Sequence, residues 1–316
     1  MVNLVRNELM KIFKRPGTFV MIGILILMVS VMGGIIKYNK NNEDVKVNEN
    51  WKQEYQTEIK SSEKNIQKSK NSQEIKILKR DVALKEYRIK HNLSPNEEYS
   101  VWSFVNDASG MISLTGLFTI IVAAGIVASE FSWGTIKLLL IRPINRGKIL
   151  ASKYVSIILF ALLLLIILYT YSSILGVILF GTPEQAVPYL NYFDGKITEQ
   201  TMSLHLMISY GLKSIDMVML ATAAFMISAV FRNSSLATGL SIALMFTGSS
   251  ITFLLASKFE WAKYILFANT DLTQYFEGTP MVDGMTLTFS IIMIAIYFVL
   301  FQFFAFFVFK KRDVAA

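Results

Sequence analysis

Few residues in this sequence have the types and spacing that catalysis or metal binding requires. The chain contains no cysteine, which excludes disulfides, thiolate metal sites and a cysteine nucleophile. Neither His91 nor His205 stands in a metal-ligand spacing, and no G-x-x-x-x-G-K-S/T loop for nucleotide phosphates occurs. We therefore predict no enzyme active site, no metal and no cofactor in this chain, which also cannot bind ATP through such a loop.

The segment with the most promising chemistry lies between two uncharged runs, Met111–Ser129 and Tyr154–Phe180. Even the shorter run, at ~1.5 Å per residue, approaches the ~30 Å thickness of a bilayer's hydrocarbon core. Short loops rich in Lys and Arg between two spans remain in the cytoplasm. The charged residues of this one are Glu130, Lys137, Arg142, Arg146, Lys148 and Lys153.

The same loop has a pattern of its own. Its apolar residues Phe131, Ile136 and Leu139 recur at near-helical spacing, and Pro143 disfavours helix at the residue before it. A short helix, a break and a second helix that re-enters the membrane would form an elbow on which another protein can dock. The alternative is a basic loop that only fixes the orientation of the spans.

The run E-F-S-W-G-T-I-K-L-L-L-I-R-P-I-N-R-G-K-I-L-A-S-K resembles the motif of type-2 ATP-binding-cassette (ABC) exporter permeases. In that family an acidic residue, Gly-Thr, a basic and apolar stretch, Arg-Pro and a second Arg lie between spans two and three. The resemblance implies that residues 130–146 form a cytoplasmic coupling helix, seated in a groove of a separate ATPase subunit. By position, the residues assigned to ATPase coupling are Glu130, Phe131, Gly134, Thr135, Arg142, Pro143 and Arg146.

Composition places the whole chain in the membrane. Hydrophobic residues make up 53% of it and charged residues 17%, against about 25% charged in soluble domains. The net charge of +8 is concentrated beside apolar runs, which fits membrane orientation better than nucleic-acid binding. The predicted fold is an all-α integral membrane protein with six transmembrane helices in the cell membrane and both termini in the cytoplasm.

The pattern divides the chain into six spans and the segments between them. The predicted spans are residues 18–36, 111–129, 154–180, 212–231, 236–256 and 286–309. The predicted segments outside the bilayer are an amphipathic helix at 1–15, a helical hairpin at 37–104, the coupling segment 130–146, outer loops at 181–203 and 258–285, and a cytoplasmic tail at 310–316. The first span is too long, and lacks the cleavage site, for a signal peptide.

Two of these segments have alternative roles. The N-terminal helix could lie on the inner membrane surface and, by the resemblance, also contact the ATPase, or it could be a basic flank that only orients span one. The polar hairpin at 37–104 is predicted to be extracellular. It could be a solvated spacer, or a lid or receptor for an exported substrate.

Charges inside the predicted spans are rare. Lys213 and Asp216 stand three residues apart on one face of span four, near its outer end, where they could form an ion pair. Such a pair could be structural or could contact substrate. The middle parts of the spans lack ionisable residues, which weighs against a proton- or sodium-coupled carrier.

These observations and the resemblance predict the permease subunit of an ATP-driven exporter for an amphipathic cargo, such as an antimicrobial peptide, a drug or a lipid. Its implied partners are two copies of a separate ATPase, which carries ATP and Mg, a second permease copy that is identical or related, and the lipid bilayer; no nucleic acid is expected. The alternative is a membrane sensor or immunity protein that binds a peptide through the hairpin without transport.

Overall fold

The computed structural model describes residues 1–42, 50–69, 72–95, 99–135, 144–183, 187–193, 195–231, 233–276 and 280–311. Its longer helices are α1 (Val2–Phe13), α2 (Pro16–Asn42), α3 (Trp51–Lys68), α4 (Ser72–His91), α5 (Val101–Ala108), α6 (Ile112–Ser132), α7 (Arg146–Phe180), α8 (Met202–Phe231) and α9 (Ser234–Ala256). The four-residue α10 (Leu266–Asn269) and the long α11 (Leu287–Lys311) follow, and an antiparallel hairpin of β1 (Tyr189–Phe193) and β2 (Lys196–Gln200) precedes α8.

Within the described residues, six helical stretches are long and apolar enough to cross a membrane, which confirms a mostly helical protein with six candidate spans. They are Pro16–Asn42, Val101–Ser132, Arg146–Phe180, Met202–Phe231, Ser234–Ala256 and Leu287–Lys311. Several are longer than the apolar runs alone suggest. At 35 residues, α7 is about 52 Å long, so it projects beyond a ~30 Å hydrocarbon core. Lys153 consequently lies inside a helix.

The core of the bundle forms around α6 and α8. In the most apolar 18 residues of Val101–Ser132, 67% of the residues are buried. In the most apolar 18 residues of Leu287–Lys311, only 6% are buried. Small residues let α6 and α8 approach closely, and Ser228 of α8 bonds to the α6 backbone at two points. Its Oγ donates to the Ala124 carbonyl at 2.6 Å and accepts from the Ala128 N–H at 3.0 Å. Hydroxyl contacts of this kind are typical of helices packed in a membrane.

The end of the bundle farthest from α1 carries the polar segments. Helices α3 and α4 pack against each other as an antiparallel hairpin, where the Lys85 ammonium lies 2.8 Å from Glu58 and 2.7 Å from Asp81. The Tyr87 hydroxyl of α4 donates to Glu199 of β2 at 3.1 Å. This contact joins the helical hairpin to the β-hairpin, so the segment at 181–203 contains regular structure.

A folded connection of short helices joins α9 to α11. Asn269 is fully buried there, and its amide donates to the carbonyls of Lys263 and Ile265 at 2.8 Å each. The Ser290 hydroxyl of α11 donates to the Asn269 side chain at 2.7 Å. The Phe267 ring lies directly on Gly248 of α9, with no room for a larger residue.

Candidate functional site

Helix α1 is amphipathic and lies against the N-terminal part of α7. Its apolar residues Val5, Leu9 and Phe13 recur on one face, as a helix at a membrane surface requires. The Ser156 hydroxyl of α7 donates to the Val5 carbonyl at 3.3 Å. At its C-terminal end, the Thr18 hydroxyl donates to the Ile12 carbonyl at 2.6 Å. Both ends of α1 are therefore attached to the bundle.

Four charged residues from three helices meet where α1 crosses the ends of α6 and α7. This buried charge cluster consists of the buried residues Glu8 of α1, Glu130 of α6 and Lys153 of α7, together with the more exposed Lys11 of α1 at its edge. The Lys153 ammonium lies 2.9 Å from the Glu8 carboxylate and 2.6 Å from that of Glu130. The Lys11 ammonium lies 2.7 Å from Glu8 and 3.0 Å from Glu130. Two positive and two negative charges thus alternate around a closed ring.

Because Lys153 and Glu130 are buried away from water, their hydrogen-bond partners must come from the protein itself. Lys153 is 0% exposed, and its three N–H groups have three acceptors, because the Ile126 carbonyl lies 3.3 Å from it. Glu130 accepts both ammonium groups on Oε1, whereas its buried Oε2 has no hydrogen-bond partner among the described residues. A dehydrated charge without a partner costs several kcal/mol, so the three buried members Glu8, Glu130 and Lys153 depend on one another, whereas the Lys11 side chain is 46% exposed and its bonds are screened by solvent.

The two charges on α1 are held in their ionised forms. Burial by itself would raise the pKa of the Glu8 carboxyl, but the charge of Lys153 and the hydrogen bonds from Lys11 and Lys153 outweigh it, and the pKa lies below its usual value. Burial likewise opposes the charge of Lys11, but its hydrogen bond to Glu8 and the nearby Glu130 raise its pKa. Near neutral pH, Glu8 therefore carries its negative charge and Lys11 its positive charge.

Beyond Glu130 itself, three of the residues assigned to coupling, Gly134, Thr135 and Arg146, lie at the ends of α6 and α7. Gly134 ends α6 in a left-handed conformation (φ +69°), which glycine adopts without strain. The Thr135 hydroxyl lies 3.4 Å from the Glu130 carbonyl that the end of the helix leaves free. Arg146 is the first residue of α7, preceded by Asn145, whose side chain accepts from the Gly147 N–H at 2.8 Å.

Phe131, also assigned to coupling, joins the end of α6 to the end of α11, since its ring lies edge-on to that of Phe309 with the ring centroids 6.3 Å apart. The Arg15 guanidinium lies 5.4 Å from the ring of Trp133, just beyond α6. Arg142 and Pro143 lie outside the described residues. The ends of α1, α6, α7 and α11 therefore converge on the segment that carries the motif.

Lys213 and Asp216 occupy one face of α8 but use different partners. The Lys213 ammonium donates to the Ser109 hydroxyl at 2.7 Å. The Asp216 carboxyl interacts with the Thr270 hydroxyl, and its buried Oδ1 has no hydrogen-bond partner in the described part of the chain. Among the described residues the two are not joined as an ion pair, because packing gives each a partner on another element.

Sequence patterns did not indicate Glu8 as a site residue or Lys153 as its partner. The available signal was weak: Glu8 is an acid in an otherwise basic helix, and Lys153 directly precedes a long uncharged run. Both are charges that a surface helix could equally expose to solvent. Only their approach across 145 residues of sequence shows that they pair.

Comparisons with known proteins identify relatives along the whole chain. A relative from Bacillus subtilis (strain 168), described as "Uncharacterized protein YhcI", is 50% identical over 317 residues and covers 100% of both chains. A second from the same organism, described as "Uncharacterized membrane protein YdbK", is 34% identical over 199 residues, which is 62% of this chain and 76% of the relative. The six apolar helices and the likeness to a relative described as a membrane protein together identify the chain as a multi-pass membrane protein.

A family model described as "Protein of unknown function (DUF2705)" matches residues 82–315. The match includes Glu130, Lys153 and the motif segment between them. It begins after α3, so Glu8 and Lys11 fall outside it, although the full-length relative covers α1. The match covers well over half of the chain, so the chain belongs to the DUF2705 family.

Proposed function

We propose that this chain is the permease subunit of an ATP-driven ABC exporter in the cell membrane, with both termini in the cytoplasm. The observation that carries the proposal is the buried charge cluster. It fastens α1 to the ends of the two helices that the motif segment connects. A protein that pushes on residues 130–146 would therefore move three helices together.

The energetics of the cluster support this mechanical role. Removing one partner from a buried ion pair typically costs 3–5 kcal/mol, so α1 does not separate readily from α6 and α7. We expect two copies of a separate ATPase to bind ATP and Mg and to close on one another. Their movement would be transmitted to the bundle through residues 130–146 and α1. The closely packed helices α6 and α8 would then move together.

The second permease copy, identical or related, would pack on one of the weakly buried apolar helices. Helices α2 and α9 each bury only 17% of their most apolar window within this chain. A cleft between two copies lined by such surfaces suits an amphipathic cargo, such as a peptide, a drug or a lipid. Among the described residues of the six spans, Lys213 and Asp216 of α8 are the charged residues that lie away from the helix ends, which is few for a carrier driven by its own ion gradient.

Co-purification with a P-loop ATPase encoded beside the chain tests the proposal. The wild-type complex should contain that ATPase and hydrolyse ATP. Arg142→Glu should abolish both association and transport, because it reverses a charge in the proposed docking segment. Lys196→Glu makes the same charge change on an exposed residue of β2 and should retain both.

Normal association of Arg142→Glu, with a thermal unfolding midpoint like that of wild type, would contradict the coupling role. The sensor or immunity hypothesis predicts a different outcome. There, deletion of the α3–α4 hairpin would abolish peptide binding, whereas loss of every ATPase contact would leave the function intact.

A further inference from the structure

A wholly apolar groove runs between α1 and α7, on the side of α1 away from the charge cluster. It has a volume of about 710 Å³, within the ~300–1,000 Å³ range of small-molecule sites. Val5, Leu9 and Phe13 form one wall, and Val155 and Leu159 of α7 form the other. No polar atom is exposed in it, so ordered water, which needs two to four polar partners, has none there.

The groove is a fixed feature of the fold, because hydrogen bonds and ion pairs hold its two walls together. The Lys153 ammonium lies 2.9 Å from Glu8, and the Ser156 hydroxyl lies 3.3 Å from the Val5 carbonyl. Val155 and Leu159 then follow Ser152–Lys153 into the uncharged run of α7. Because Val155 and Leu159 belong to this uncharged run, we expect the groove to open where the acyl chains of the neighbouring leaflet begin.

Arg6 is the charged residue of the lining and is exposed at its rim. The neighbouring acid on α1, Glu8, is already bonded to Lys11 and Lys153. Among the described residues, no ion pair involves Arg6. A guanidinium beside an apolar groove complements a phosphate joined to hydrocarbon chains, since it binds phosphate oxygens in a bidentate geometry.

We propose that the groove between α1 and α7 binds the acyl chains of an anionic phospholipid whose phosphate pairs with Arg6. The lipid would fill the space under α1 and add a second attachment of that helix to the bundle. This site depends on insertion of the six helices in a membrane and does not depend on the exporter proposal.

Native mass spectrometry of the purified full chain, with phosphatidylglycerol or phosphatidylcholine added, tests the site. We expect phosphatidylglycerol to bind more tightly to wild type, and Arg6→Gln to weaken it about fivefold, the effect of one basic residue near an anionic lipid. Lys14→Gln removes an exposed charge at the C-cap of the same helix, outside the groove, and should leave the affinity unchanged. Leu159→Trp fills the groove and should weaken both lipids.

Equal losses in Arg6→Gln and Lys14→Gln would overturn the site, because they would indicate general surface charge. Unchanged binding in Leu159→Trp would also overturn it, as would full competition by glycerol phosphate, which lacks acyl chains. If Leu159→Trp unfolds at a lower temperature than wild type, Val155→Phe is used as the test variant instead, because it narrows the groove from the same wall. None of these measurements involves an ATPase, so a failed exporter proposal would leave their outcome intact.

Discussion

At the scale of single residues, the buried charge cluster is the feature whose disruption should cost the fold most. Lys153 contributes an ammonium that is 0% exposed, and both carboxylates that neutralise it come from other helices. An apolar residue would pack there without any desolvation cost. A buried ionic group requires its partners in place, so it selects one arrangement of α1 relative to the bundle.

Lys153→Met tests this dependence. It removes the central cation while keeping a similar volume, and leaves two buried carboxylates with Lys11 as their remaining cation in the cluster. We expect the free energy of unfolding in detergent to fall by about 3–5 kcal/mol, measured by denaturant titration. Lys148→Met on the same helix removes an exposed charge and should change it by less than about 0.5 kcal/mol. Equal effects would show that the cluster does not stabilise the fold.

Attachment of α1 should also depend on pH. The pKa of Glu8 is lowered from its ordinary value of 4.5, so its contribution is present above that value and is lost as pH falls through the folded pKa. The pKa of Lys11 is raised from 10.5, so its contribution is present below that value and is lost as pH rises through the folded pKa. Attachment should therefore be strongest between these limits.

A spin label on Asn3→Cys would report this attachment, since the chain has no other cysteine and Asn3 is exposed. Label mobility should be low across the neutral range and increase at both extremes. Glu8→Gln should remove much of the acid dependence and move the alkaline transition to lower pH, because Lys11 loses the carboxylate that raises its pKa. An acid transition that is unchanged in Glu8→Gln would assign it to other carboxyls.

At the scale of elements, local sequence determines where the helices end, and close packing determines how they meet. Gly134 ends α6 through its positive φ, and Asn145 begins α7 as an N-cap. Elsewhere, small residues permit contacts that larger ones would block. A Cβ at Gly176 would lie 3.1 Å from Val101 and 3.2 Å from Phe104, so α5 and α7 are close together.

Gly248→Ala should separate α9 from the folded connection before α11, because the new methyl group would overlap the ring of Phe267. We expect a loss of about 1–3 kcal/mol of stability in a detergent melt. Gly239→Ala, on the same helix, has nothing within 4 Å of its Cβ and should instead stabilise by about 0.5–1 kcal/mol. Changes of the same sign in both variants would contradict this packing.

At the scale of the whole molecule, the six apolar helices and the position of the charge cluster define two distinct ends. The end with α1 and the ends of α6, α7 and α11 carries the motif residues. The opposite end carries the α3–α4 hairpin, the β-hairpin and the connection between α9 and α11. The exporter proposal requires the first end to face the cytoplasm.

Single cysteines test that orientation. Lys148→Cys at the α1 end should react with a membrane-impermeant maleimide only after cells are opened. Lys196→Cys at the opposite end should react in intact cells, because β2 would be extracellular. Both residues are exposed, so burial does not account for a difference. The reverse pattern would place the motif outside and exclude an ATPase partner for it.

The sequence by itself determined the class of the protein, the six apolar helices, the amphipathic character of α1 and the location of the motif. These features depend on residue type and spacing along a continuous stretch, so local patterns carry them. Helix lengths were less predictable: α8 begins at Met202 and α7 at Arg146, because a helix can continue beyond the uncharged run through any residues that tolerate helical backbone angles.

Only the tertiary structure decided which charges meet. It brought Glu8 to Lys153 and Glu130, gave Lys213 and Asp216 separate partners, and left an apolar groove beside α1. Long-range pairs form because helix packing excludes water and leaves each buried charge only the partners that neighbouring helices provide. No periodicity along the chain encodes that proximity.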